Sequence, residues 1–115
     1  MKIGGIDRPI KFGVNQTDLF CELRNISLKQ YYELLSNFET GDYKFGEIRD
    51  LVWSALKDGA RQAKTEFDLE PMDVGDLMDE NPAEIISETM VALVGSLPKP
   101  SDNGGKKKVQ AKTKN

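Results

Sequence analysis

Histidine is absent from the 115 residues. With it go the commonest general base, the commonest metal ligand and every Ser-His or Cys-His nucleophile pair. No Walker-type phosphate loop and no GxGxxG after a strand takes its place. These absences argue against an enzyme, and no cofactor or catalytic residue is expected. Cys21 is the single cysteine, which excludes an internal disulfide and a cysteine-built zinc site. Among Leu19, Phe20 and Leu23 it reads as a small buried hydrophobe. No apolar run approaches the ~20 residues of a membrane span. The opening Met1-Lys2-Ile3-Gly4-Gly5 has no apolar h-region, so no secretory signal is expected. Asn15-Gln16-Thr17 and Asn25-Ile26-Ser27 match glycosylation acceptors, and without such a signal they are chance matches.

The charge that is present is unevenly placed. Residues 1–98 hold 10 Lys+Arg against 18 Asp+Glu, a net of −8. Residues 99–115 hold six lysines and one aspartate, a net of +5, and the two combine to the overall −3. The composition therefore divides the chain into a globular domain over 1–98 and a basic tail over 99–115. The tail has one hydrophobic side chain larger than alanine, Val109. That is too little apolar surface to offset the entropy of ordering, so disorder is expected. A lysine-rich arm can bind nucleic acid. This one has no aromatics for base stacking and joins an acidic body, which makes a solubilising extension or a joint the plainer reading.

Hydrophobic patterning predicts an α+β domain that is mainly helical. Lys2-Ile3 and Ile6 to Val14 read as a β-hairpin around Gly4-Gly5, since adjacent glycines suit a tight primed turn. Ile6, Arg8, Ile10, Phe12 and Val14 share one parity, which should be buried. About five short helices should follow. Asn15 or Thr17 can cap the first, which carries Leu19, Phe20 and Leu23. Ser27 can cap a second with Leu28, Tyr31, Tyr32, Leu34, Leu35 and Phe38 near one stripe, ending at Gly41. From Tyr43 to Lys57, a third has Phe45, Ile48, Leu51, Val52, Ala55 and Leu56 at helical period, widened by Trp53. Asp58-Gly59 should break or kink it, after which Ala60, Ala63 and Phe67 resume the pattern, and the small residues there allow close approach. Pro71 opens a short fourth helix with Met72, Val74, Leu77 and Met78. Asn81-Pro82-Ala83-Glu84 resembles a capping box before a last helix running to about Leu97. Its stripe is Ile86, Met90, Leu93, Val94 and Leu97. Ile85 and Val91 lie off that stripe, so this helix is apolar on more than one side, for core contact or for a partner.

Nine acidic residues lie between Ala60 and Met90 against Arg61 and Lys64. Asp73, Asp76 and Asp79 are three apart, not alternate as a calcium loop requires. They read as a solvated helix face or an acidic rim around a partner groove. Met72, Met78 and Met90 cluster in the same half and suit either gap filling or an adaptable surface.

The hairpin Met1-Lys2-Ile3-Gly4-Gly5 with Pro9-Ile10-Lys11-Phe12-Gly13 comes first. The helix Leu51-Val52-Trp53-Ser54-Ala55-Leu56-Lys57-Asp58-Gly59-Ala60-Arg61 follows, then Phe67-Asp68-Leu69 and Val74-Gly75-Asp76-Leu77-Met78-Asp79. This order, over roughly Met1 to Leu97, resembles the small tail assembly chaperones of long-tailed bacteriophages and prophages. The resemblance implies a non-enzymatic protein of the bacterial cytoplasm. Such a protein binds the tape measure protein and tail tube subunits during morphogenesis and is absent from the finished virion. A tape measure protein exposes long apolar helical stripes that aggregate when unpartnered. An acidic helical protein can cover such a stripe. The candidate groove residues are Trp53, Leu56, Phe67, Leu77, Met78, Met90 and Leu93. Genes of this kind are often read in two forms through a frameshift near the end of the short form, and codons for Lys106-Lys107-Lys108 can supply an adenine-rich slip site. Two other classes stay open. One is a small regulatory or nucleic-acid-binding protein that uses the tail. The other is a structural head–tail joining protein that uses the hairpin edge to build a ring.

Overall fold

A computed structural model of the chain describes residues 1–97. Strand β1 (Lys2–Ile3) pairs antiparallel with β2 (Ile6–Asp7), Lys2 opposite Asp7 and Ile3 opposite Ile6. The turn uses both glycines: Gly4 has φ +64° and Gly5 φ +77°, the left-handed pair that a primed turn demands. The hairpin is shorter than its alternation predicts. Pairing extends only to the Arg8 N–H, which donates to the Met1 carbonyl at 2.8 Å. Met1 is already the partner of Arg8, so nothing stands opposite Pro9 or the residues after it, and the second strand ends at Asp7 and not at Val14. Beyond it the backbone changes partner, and the Lys11 N–H donates to the Ala55 carbonyl at 3.1 Å. The expected buried parity fails with the strand. Ile10 and Phe12 pack partly against the core, but Ile6 is 55% exposed and Val14 85%.

Five helices follow: α1 (Val14–Arg24), α2 (Leu28–Thr40), α3 (Phe45–Ala63), α4 (Pro71–Met78) and α5 (Pro82–Ser96). The architecture is α+β and mainly helical, a hairpin packed on five helices. Gly13 caps α1; Asn15 and Thr17 lie inside the helix, and it is the Gln16 carboxamide oxygen that accepts from the Gly13 N–H at 3.3 Å. Ser27 caps α2 as expected. Its Oγ accepts from the Gln30 N–H at 3.1 Å, and the Gln30 side chain accepts from the Ser27 N–H at 2.8 Å. Gly41, at φ +80°, ends that helix. At the start of α5 the box does not close: the Asn81 amide donates to the Glu84 carboxylate instead of accepting from a backbone N–H.

Helix α3 is the axis of the fold. Every residue from Asp50 to Leu56 is buried, as are Asp58, Gly59 and Ala60. Phe45, at its start, is exposed. The expected break at Asp58-Gly59 does not occur, because Gly59 serves a close approach and not a turn. A Cβ there would lie 2.3 Å from the Pro9 carbonyl oxygen and 2.6 Å from Ile10 Cα. The backbone of residues 9–10 thus crosses directly over the helix. On another side α1 packs against α3, joined by buried polar contacts. Gln16 Nε2 donates to Ser54 Oγ at 3.0 Å, and Ser54 Oγ donates to the Leu51 carbonyl at 2.7 Å. Asp50 is buried between Arg24 of α1 and Arg49, the latter at 2.9 Å. Helix α4 packs on a third side, where Trp53 Nε1 donates to the Leu69 carbonyl at 2.9 Å and ties down the α3–α4 connection. The hairpin turn sits on α4, for a Cβ on Gly4 would lie 2.7 Å from Leu77 Cδ2. The basic tail 99–115 and its expected disorder lie outside the described residues.

Two substitutions test this arrangement by urea denaturation. Gly59→Ala should lower stability by about 1–3 kcal/mol or more, since the obstacle is backbone. Gly95→Ala, where a Cβ meets nothing within 4 Å, should leave stability level or raise it by up to ~1 kcal/mol. Equal losses at both sites would mean that residues 9–10 do not seat against α3. Leu51→Ala, in the centre of the stripe, should cost about 2–5 kcal/mol.

Candidate functional site

The buried row of α2 is Tyr31, Leu34 and Phe38, and that of α5 is Ile85, Thr89 and Leu93. The Tyr31 ring meets Phe20 of α1 edge-on, centroids 5.4 Å apart, and seats α2 on α1. Thr89 fits in the apolar row because its hydroxyl donates to the Ile85 carbonyl at 2.7 Å. Each helix has apolar side chains left over beside this row. On α2 they are Leu28, Tyr32 and Leu35; on α5 they are Met90, Val94 and Leu97, the residue after its last turn. The sequence stripe on α5 is therefore displaced: Ile85, expected off the stripe, is in the core, and Val94 is 64% exposed.

The leftover rows face one another across a groove with two lobes. The first, of about 580 Å³, lies between α1, α2 and the end of α5, with Phe12, Val14, Cys21, Ile26, Leu28 and Tyr31 among its walls. The second, of about 730 Å³, runs along α2 and α5 between Leu35, Phe38, Met90 and Val94. Tyr32, Leu93 and Leu97 line both lobes, which therefore lie side by side. A smaller pocket of about 320 Å³ lies elsewhere, between the start of α3 and α4, with Phe45, Arg49, Met72 and Met78 in its lining.

The seven candidate groove residues divide on this structure. Met90 and Leu93 line the large groove. Met78 is buried at the floor of the small pocket. Trp53 and Leu56 are buried in the core, and Lys57 places its ammonium 5.2 Å from the Trp53 ring centroid. Phe67 and Leu77 are partly buried against the same core. The groove residues outside those seven include the exposed Tyr32, Leu28, Leu97, Val94 and Val14. The available signal is stripe width: six apolar residues on the α2 arc are more than one buried row requires. Cys21 departs from its expected burial and stands half-buried in the groove wall. Burial pushes its thiol up from the ordinary value, and the nearby Asp18 carboxylate raises it further.

The site has the chemistry of a binding surface. Apolar walls with few polar groups exclude water and hold hydrophobic side chains. Among the described residues, no group of three or more His, Cys, Asp or Glu is arranged to hold a metal ion, and no helix is long and apolar enough to cross a membrane. No family model matches the chain, and no curated protein or solved structure matches it either.

Cys21 supplies a direct check of the groove's electrostatics. Its alkylation rate should rise with pH about a midpoint above that of a small free thiol. Asp18→Asn should bring the midpoint down, because removing the neighbouring negative charge favours the thiolate. An unmoved midpoint would place Asp18 away from the thiol.

Proposed function

We propose that this chain is a tail assembly chaperone of a long-tailed bacteriophage or prophage, and that it holds an apolar helical segment of the tape measure protein while tail tube subunits are recruited. The observation that carries this reading is the two-lobed groove between α2 and α5. Tyr32, at 56% exposed, and Val94 leave large apolar surface open along two helices. A contiguous apolar surface of that kind is a liability unless a partner covers it. Its elongated form, walled by two helices, suits an amphipathic helix laid in a groove. The net charge of −8 over residues 1–98 would keep the loaded complex from associating with others of its kind. The order of sequence features that resembles these chaperones agrees with that chemistry. The joining-protein reading has less to work with, since each strand of the hairpin has two residues and offers few edge groups for building a ring.

Co-expression with the long, helix-rich product of a neighbouring gene tests the proposal. That product should be recovered soluble only when this chain is present. Val94→Asp should abolish the rescue without changing the thermal unfolding midpoint by more than a degree or two, since the side chain is already mostly exposed. A neighbour that is equally soluble without this chain, or stable incorporation of the chain in purified particles, would sink the chaperone reading.

A further inference from the structure

We infer that the helix seated in the groove between α2 and α5 carries positive charge along the borders of its apolar stripe. The inference rests on reading this groove as the partner site, and it specifies the partner's chemistry. Apolar walls alone accept any hydrophobic helix; the charges around these walls do not. Among the described residues, the charged side chains that line the lobes are carboxylates, Asp18 in one and Glu39 in the other, and the Lys11 ammonium stands beside Gly13 at the border of the first lobe. The wall helices α1, α2 and α5 carry six carboxylates against Arg24 and Lys29. Arg24 is committed to Asp50 and to the Gly46 carbonyl. Neither α2 nor α5 has a basic residue in its last turn, so the negative dipole ends at Glu39 and Leu97 add to the field of the second lobe, while the first turns of α1 and α2 border the first lobe with their positive ends.

A helix whose stripe is bordered by glutamate would bring like charges together at Asp18 and Glu39. One bordered by lysine or arginine would be attracted during approach and paired once seated. Two other occupants fail one half of the match. Residues 98–115 have the lysines but one hydrophobic side chain larger than alanine, so they offer no stripe. A second copy of this chain offers apolar helices but the same sign of charge, −8 over residues 1–98 and −3 overall. Charge and apolarity together select a basic amphipathic helix supplied by another protein.

The test uses the full chain and two synthetic helical peptides of equal length. Both share one Leu/Ile/Phe stripe; one is bordered by lysine and the other by glutamate. Binding is read by fluorescence anisotropy, and occupancy by slowed alkylation of Cys21. The lysine-bordered peptide should bind at least ~10-fold tighter at low salt, and the gap should close near 1 M salt, where the screening length is about 3 Å. Glu39→Lys should narrow the gap, and Val94→Asp should weaken both peptides. If both peptides protect Cys21 and bind equally, or the glutamate-bordered one binds tighter, the groove remains the partner site and the inference of a basic partner is overturned. If neither binds nor protects Cys21, the groove is not the partner site and the proposed function falls with the inference.

Discussion

The crossing of the Pro9–Ile10 backbone over Gly59 is the constraint on which the other packings depend. A chain segment can lie this close to a helix only where the side chain is a hydrogen atom, and the 2.3 Å that would separate a Cβ from the Pro9 oxygen leaves no alternative. Once seated, the segment covers one side of α3 and delivers the chain to Gly13, where α1 begins. From there α1 can only pack on the neighbouring side of α3. The registers of Gln16 against Ser54 and of Arg24 against Asp50 follow from that placement. With α4 on a further side, α3 is enclosed, which explains why its buried positions run consecutively from Asp50 to Leu56. Gln16, Ser54 and Asp50 are tolerable there because each has partners, whereas Asp58 is bonded to Arg61 through Oδ1 alone and its buried Oδ2 has none. Removing one partner would leave a buried carboxylate or hydroxyl without compensation, which costs more than the contact itself contributes.

The enclosure of α3 also accounts for the groove. The tight helix pairings are α1 on α3 and α3 on α4. Helices α2 and α5 reach the core through one row of side chains each and do not close upon one another. Their second apolar rows are therefore left facing outward across a gap. Small helical domains usually bury such rows by zipping the two helices together. Here the two helices do not close upon one another, so apolar area that would otherwise add to stability stays exposed at Tyr32 and Val94.

Much of this was legible in the sequence, for reasons that differ between elements. The third helix is evident because its apolar positions keep helical period over the whole of Ile48 to Leu56, and Ser27 marks the start of the second locally. The five-helix order and the two-residue turn follow from similarly local signals. What local pattern could not reveal is partner exchange. Residues 8–14 alternate as a strand should, yet the first strand has no residue left to pair beyond Arg8, and α3 replaces the hairpin as the hydrogen-bonding partner. Gly59 reads as a helix breaker until the crossing chain is known to need its missing side chain. The candidate groove list failed at Trp53 and Leu56 for the same reason. A stripe shows that a face is apolar, and only the arrangement of its neighbours decides whether that face is covered.

Charge completes the division of labour within the molecule. The hairpin, α1, α3 and α4 supply the interlocked core, and the outer rows of α2 and α5 supply the open surface, which is the surface the proposed function uses. An open apolar groove would ordinarily pair with its own copies. The carboxylates of the wall helices oppose that: two like-charged copies repel before their apolar rows meet, whereas an oppositely charged helix is drawn in along the same field. On the proposed reading, the acidic bias of the body serves solubility and selection at once. It explains why a groove with so few polar contacts need not be indiscriminate.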